Sequence, residues 1–374
     1  MNNVSKDEIK EILKKYGYNT SSFQLLTSGM NYFTSELGVS GIIGYLVVGN
    51  VFVCAGDPLC SDDDFFNLVH EFRLFAKRNK KRCLFLQVSE NIEKKFRIMG
   101  FGSLKFGEEA VIDLNNYTFE GREKRVVRQH ASRARNAGVE ISLLSSKAEE
   151  REISYLSEDW LGGRKTKGFS FLLGLNPLEE KEEKFIFVAK EEGELVGYLT
   201  AVPIYARNGF YFEDVIRSID APSGTNQLLI QYAIEFLKEK GFSIVTLGTA
   251  PLGNLRNDDT AEHKRINNIL KYSYEHLNGF YNFKGLYEFK SNFVPSVWEK
   301  KYLCFYPEKI KANYFVAIIR AYTGKRLSGL AFSQLKKLAT QPMAPLKNIA
   351  KPIQNITKPI KKVKIKKPKL KLKK

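Results

Sequence analysis

Cysteine is scarce: Cys54, Cys60, Cys83 and Cys304 are the only four, and no CxxC pair occurs among them. That excludes a disulfide-stapled secreted scaffold and a zinc ribbon, and reads as free, partly buried thiols in a reducing compartment. Histidine is equally rare. His70, His130, His263 and His276 fall in no zinc-type spacing, so no metal is expected. No run reaches the ~18 uncharged apolar residues of a membrane-spanning helix. The longest candidate, 41–55, is rich in glycine and β-branched residues, contains Asn50, and reads as a β-hairpin. The opening MNNVSKDEIKEILKKYG lacks the apolar core of a signal peptide. A soluble or peripheral protein is expected. Acid is missing from one end: residues 341–374 hold twelve lysines and no Asp or Glu, two thirds of the net charge of +18. Four prolines beyond Ala344 and like-charge repulsion should keep this tail extended, and its charge suits a membrane surface or nucleic acid.

What is present is enough for two ordinary domains: 374 residues, 43% of them hydrophobic. A repeat organises them. In the first half, GIIGYLVVGNVFVCAGDP gives two strands around a Gly49-Asn50 turn. A helix over 62–79 follows, with Phe65, Phe66, Val69, Phe72, Phe75 and Ala76 on one stripe. A strand over 83–88, a short helix over 90–99 and a strand pair over 102–114 come next. In the second half, FIFVAKEEGELVGYLTAVPI is again a hairpin, turning at Glu192-Gly193. The strand FYFEDVI, a loop, a helix over 226–240 and the strand FSIVTLGTA complete it. Both hairpins contain Gly-Tyr-Leu, at 44–46 and 197–199, so two copies of one unit are expected. Between them, Arg122, Lys124, Arg125, Arg128, Arg133 and Arg135 crowd about four helical turns before a Gly138 C-cap, as a solvated face or a phosphate-facing helix. Beyond Leu303 lie an apolar helix over 314–322 and an amphipathic one over 326–338, which either lies in a membrane interface or packs onto the body.

The segment YFEDVIRSIDAPSGTNQ concentrates candidate chemistry. Pro222 and Gly224 shape a turn, and Thr225 or Asn226 caps a helix whose free N–H groups can seat a phosphate or an oxyanion. This layout resembles the central motif of Gcn5-related acyltransferases. Their cofactor loop normally carries two close glycines, whereas only Gly224 stands here.

Five motifs in order, GYLVVGNVFVCAGDP, SEDWLGGRKTKGFS, FEDVIRSIDAPSGT, TLGTAPL and FYNFKGLYEFKSNFVPSVWEKKYL, resemble the catalytic domain of the phosphatidylglycerol lysyltransferases (multiple-peptide-resistance proteins) over roughly residues 20–325. The resemblance implies an α/β (α+β) fold of tandem Gcn5-related N-acyltransferase-like domains, with mixed sheets flanked by helices. It implies transfer of an aminoacyl group, lysyl or alanyl, from aminoacyl-tRNA to phosphatidylglycerol, with no cofactor beyond that donor. Asp214, Arg217 and Lys290 match the family's chemical positions. Where the family usually reads Lys-x-Lys-Phe, this chain has Lys290-Ser291-Asn292-Phe293. The family's amino-terminal flippase domain has no counterpart in this sequence, so a flippase partner would be a separate chain.

The expected divisions are an acyltransferase-like domain over 1–118, a basic connector over 119–180, a catalytic domain over 181–310, amphipathic helices over 311–340 and a disordered tail over 341–374. Arg164, Lys165, Asp220, Gly224, Thr225 and Lys284 are the substrate-binding candidates. Arg164 and Lys165 guide phosphate or belong to a solvated loop; Asp220 binds substrate or caps a turn. Arg125, Arg128, Lys361, Lys362, Lys366 and Lys367 are the candidates for electrostatic attraction to membrane or tRNA, placing the chain on the inner face of the cell membrane. One geometric obstacle stands out. In a regular strand Asp214 shares a face with Phe212 and Ile216 and points away from Arg217, unless a bulge re-aims one of them. A coenzyme A-dependent acyltransferase of the same fold, and a non-catalytic membrane or RNA tether, are the alternative readings.

Overall fold

The computed structural model describes residues 4–162, 176–251, 283–309 and 312–323. The tail and the amphipathic helix over 326–338 lie outside them, as do His263, Arg164 and Lys165.

Helix α1 (Lys6–Tyr16) opens on a capping box in which Ser5 and Glu8 satisfy each other's backbone amides. Strands β1 (Asn31–Phe33), β2 (Gly41–Val48), β3 (Val51–Ala55) and β4 (Leu59–Cys60) follow, then α2 (Phe65–Arg78), β5 (Arg82–Ser89), α3 (Glu90–Ile98) and β6 (Gly102–Asp113). The expected strand pair over 102–114 is thus one 12-residue strand. No Gly- or Asn-type turn interrupts it, because Gly107 pairs in the ladder with Lys301. The basic helix α4 (Arg125–Asn136), β7 (Val139–Leu143) and α5 (Lys147–Gly162) lead to the second half. There lie β8 (Phe185–Glu191), β9 (Glu194–Ile204), β10 (Gly209–Arg217), α6 (Thr225–Glu239), β11 (Ile244–Pro251), α7 (Phe283–Ser291), β12 (Val297–Tyr306) and α8 (Ala312–Thr323).

All the described strands join one mixed sheet in the order β1-β2-β3-β5-β12-β6-β11-β10-β9-β8-β7, with β4 on β2. The repeat is visible in the pairing. In each half an antiparallel pair (β2–β3, β9–β10) is followed by a helix (α2, α6) and a strand parallel to the pair's second member (β5, β11). Each half then gives its last strand to the other: β6 pairs with β11, and β12 with β5. One face is covered by α1, α5 and α8, whose Ile9, Leu13, Ile153 and Tyr314 are buried; α2, α3, α4 and α6 cover the other. On α2 the buried stripe is Phe65, Leu68, Val69, Phe72 and Ala76, while Phe66 faces outward.

The shared Gly-Tyr-Leu does not mark equivalent positions. Tyr45 pairs with Cys54 and Tyr198 with Ile216, whereas a better guide is the single left-handed residue on each parallel strand, Gln87 (φ 58°) on β5 and Gly248 (φ 78°) on β11. Ala55 pairs with Leu86, next to Gln87; Tyr211 pairs with Thr246, so Phe212 comes opposite Leu247, next to Gly248. Superposing the two bulges makes Asp57 the counterpart of Asp214.

Candidate active site

The position of Asp214 is set by a β-bulge. The β9–β10 register slips between Phe212, opposite Ala201, and Asp214, opposite Thr200, so Glu213 is the extra residue. Phe212 consequently packs into the α4–α6 core, and Ile216 into the cluster under α5. Asp214 lies on the face of Thr200, Tyr198 and Ile216 and no longer shares one with Phe212, as the regular-strand expectation required. Arg217 keeps the opposite parity because the slip precedes both residues. Its guanidinium donates to the carbonyls of Ser218 (3.1 Å) and Ala221 (3.2 Å) and holds the loop after β10. Asp214 and Arg217 are therefore parted by the strand, and no ion pair joins them among the described residues.

Asp214 is 7% exposed. The Thr200 hydroxyl donates to its Oδ2 (3.1 Å) and accepts from its backbone amide (3.0 Å). Burial, together with the Glu213 carboxylate, pushes its carboxyl up to about 7, against the opposing pull of Lys184 and Thr200. Lys184 reaches Glu213 at 3.4 Å and lies over the Phe23 ring. A carboxyl poised near neutrality in a buried position suits proton transfer.

The adjoining backbone is open. Strands β10 and β11 pair only over Gly209–Tyr211 and Ile244–Thr246, and three residues further along each limb stand Asp214 and Thr249. Thr249 belongs to the bulge on β11, where the β6–β11 register slips between Thr246 and Thr249 around left-handed Gly248. A Cβ on Gly248 would stand 2.5 Å from the Tyr211 ring, so only glycine fits. The Thr249 carbonyl accepts from Lys290 Nζ (2.9 Å), and its hydroxyl is buried without a partner among the described residues. Lys290, on α7, is 6% exposed, and burial drops its amine to about 7 despite the Glu109 carboxylate. Asp214 thus stands on one limb of the parted pair, and Lys290, reaching over from α7, is tied to Thr249 on the other.

In the first half the equivalent opening is closed. Asp57 accepts from the Ser89 amide (3.0 Å) and hydroxyl (2.8 Å) at the end of β5, and from Asn19 Nδ2 (3.1 Å). Only the second half keeps its parallel pair parted.

The other candidates fall as follows. Gly224 (φ 100°) caps α6, and a Cβ there would come within 1.9 Å of the His130 carbonyl oxygen, so its bareness admits helix α4. The Thr225 hydroxyl donates to the Pro222 carbonyl (2.7 Å). Asp220 is exposed, its amide bound to Ser218 Oγ. Lys284 lies on α7, its side chain outside the described residues. Arg125 and Arg128 line an open recess of about 390 Å³ on α4 with Gln129, Ser132, Arg133 and Asn136; Arg128 also donates to the Gly121 carbonyl (2.7 Å). Tyr287 stacks on Trp298 at 4.7 Å, as packing.

Sequence reasoning missed the charged centre between the halves. Glu109 and Lys301, fully buried on β6 and β12, form a 2.6 Å ion pair. Glu109 also accepts from the Thr246 hydroxyl (2.7 Å), and Lys301 approaches Glu299, which holds Arg207 bidentately (3.0 and 2.6 Å). The signal was there: the doublets Glu108-Glu109 and Lys300-Lys301 bring complementary charge into the two strands β6 and β12.

A repeated hairpin–helix–strand unit, with one parallel pair left parted beside a buried carboxylate, defines a tandem acyltransferase-like fold. The chain belongs to the family described as phosphatidylglycerol lysyltransferase, C-terminal, which matches residues 10–305. It is 27% identical over 303 residues to phosphatidylglycerol lysyltransferase of Staphylococcus haemolyticus (strain JCSC1435), covering 79% of this chain and 35% of that protein. It is 28% identical over 280 residues to the Bacillus subtilis (strain 168) protein of the same name, covering 73% and 32%. The chain thus spans about a third of the length of the curated relatives it matches. The solved structure of L-PGS from Bacillus licheniformis is similar with a TM-score of 0.73 and 26% identity, covering 86% of this chain and 97% of that one. A crystal structure of FemX shares the fold at a TM-score of 0.52 and 11% identity. No helix among the described residues is long and apolar enough to cross a membrane.

Proposed function

We propose that this chain moves an aminoacyl group, lysyl or alanyl, from aminoacyl-tRNA to a glycerol hydroxyl of phosphatidylglycerol, without a further cofactor, at the inner surface of the cell membrane. The observation that carries the reading is Asp214, turned by its bulge into a buried position beside the parted strands, in a chain whose relatives are named phosphatidylglycerol lysyltransferase. The lipid hydroxyl oxygen attacks the ester carbonyl and gives its proton to ionised Asp214. The tetrahedral intermediate collapses, the bond to the tRNA ribose oxygen breaks, and the proton passes to that leaving oxygen. Protonated Lys290 stabilises the oxyanion. Arg217, on the other face of β10, serves by holding the loop after that strand through the Ser218 and Ala221 carbonyls. The Arg125–Arg133 face of α4 attracts tRNA, and the lysine tail holds the chain to anionic lipid, each lysine contributing about 1 kcal/mol near the surface. A coenzyme A-dependent reaction is disfavoured because the close backbone approach allowed by Gly224 is occupied by His130.

The test is direct: incubate the chain with labelled Lys-tRNA or Ala-tRNA and phosphatidylglycerol vesicles. A labelled cationic lipid is expected, lost in D214A and K290A variants that retain the native circular-dichroism spectrum. Absence of labelled lipid with every charged tRNA overturns the reading.

A further inference from the structure

Glu109 occupies a junction that the reaction as written does not use. It sits on β6 directly opposite Thr249, the residue whose carbonyl holds Lys290. Its Oε1 accepts from Thr246 Oγ1, which in turn accepts from the amide of Gly248 (2.9 Å), so the carboxylate fixes the Thr246 hydroxyl that ties down Gly248 inside the β11 bulge. Its Oε2 is neutralised by Lys301 at 2.6 Å, and the Thr20 hydroxyl stands 3.5 Å away. Both members of the pair are excluded from water, and such a pair is weak support for stability by itself, which directs attention to what it positions. We propose that the Glu109–Lys301 ion pair is the positioning element for Lys290: Glu109 fixes the Thr249 carbonyl through the bulge, and the balance of its charge against Lys301 sets the protonation of the Lys290 amine.

Burial dominates at the Lys290 amine, and the Glu109 carboxylate opposes it. Strand β11 carries no charged residue. On β6 the nearby charges are Lys105, Glu108 and Glu109, the first two paired at 2.6 Å, and on β12 Glu299, Lys300 and Lys301. Lys300 is paired with Glu90, and Glu299 with Arg207. Helix α7 itself adds Lys284 and Glu288. Asp57 influences Lys301 from the first half, so the closed unit reaches the open one through this pair.

The inference rests on Lys290 acting in the proposed transfer, and its test keeps the two separable. The titration of Lys290 is read from its 13Cε–1Hε resonance in lysine-labelled full-length chain, assigned by its loss in K290R, alongside pH–rate profiles of lipid aminoacylation. E109Q removes the carboxylate and leaves the cation, so the Lys290 midpoint falls by about one unit. K301M leaves the carboxylate unneutralised, so it rises. The double variant E109Q/K301M returns it close to the parent value. T246V, which removes the brace and no charge, lowers kcat at least tenfold with KM and the midpoint unmoved. A merely structural pair would cut activity with the folded fraction and leave the midpoint in place. Midpoints that stay put, or that move the same way in E109Q and K301M, overturn the electrostatic assignment; full kcat in T246V overturns the bracing. Should E109Q not fold, a rise in K301M that the double variant cancels supports the assignment, and equal midpoints in those two overturn it. A parent chain that makes no aminoacyl lipid removes the proposed function while the resonance still reports the midpoint.

Discussion

At the scale of single residues, Asp214 and Lys290 are held where their charged forms are disfavoured. For Asp214 the folded-state carboxyl binds its proton more tightly than the ordinary value of 3.8. Its contribution to stability is therefore complete below that value, is lost as pH rises toward about 7, and is flat beyond. D214N keeps an acceptor for Thr200 and removes the ionisable group. It should abolish transfer yet unfold at higher denaturant concentration than the parent at pH 8, by up to about 4 kcal/mol, with the gap closing by pH 4. A D214N chain equally or less stable at pH 8 would show that the carboxylate is not strained by burial. Lys290 has the mirrored behaviour: its penalty is full below pH 7 and fades as pH rises toward 10.5. The two together make the neutral range the least favourable for the fold and the most favourable for proton exchange.

Among elements, the bulges on β10 and β11 decide where Asp214 and Thr249 stand, and the α4–α6 contact packs the second half. Helical and strand elements were legible in the sequence: the hairpin turns at Gly49-Asn50 and Glu192-Gly193 follow from local pattern, as does most of the α2 stripe, which gains Leu68 and loses Phe66 in the fold. The facing of Asp214 was not, because a bulge depends on which residue of β9 comes opposite, and Thr200 lies 14 positions away in the chain. Gly224 shows the same limit. Read locally it is a phosphate-loop glycine; in three dimensions its missing side chain is the space into which His130 fits. G224A should accordingly cost several kcal/mol, about 3 or more, from the combined left-handed strain and backbone clash, measured by urea unfolding. A cost under about 1 kcal/mol would mean that the loop is free to move away from α4.

For the whole molecule, charge and strand exchange matter most. The exchange of β6 and β12 between the halves places Glu109 and Lys301 side by side at the centre of the sheet, so the buried ion pair exists only when both halves are present. On the surface, Arg125 and Arg133, without an ion-pair partner among the described residues, line the recess on α4. Reversing both charges in R125E/R133E should raise the apparent KM for charged tRNA about tenfold and flatten its salt dependence, with vesicle binding unchanged. Truncation after Thr340 should do the converse, weakening sedimentation with phosphatidylglycerol vesicles while leaving tRNA affinity near the parent value. If both changes impair tRNA alone, the tail serves nucleic acid and the membrane role fails.

Composition and local order by themselves determined the α/β class, the two similar halves and the basic stretches, since each depends on identity or short-range periodicity, while the ordered motifs of a family resemblance singled out Asp214, Arg217 and Lys290. The tertiary structure alone decided that Arg217 faces away from Asp214, that the first half's cleft is shut by Asp57, and that a buried Glu109–Lys301 pair supports the second. Those outcomes turn on pairing between strands distant in sequence, and a one-residue slip in such a ladder moves a side chain from one face of the sheet to the other.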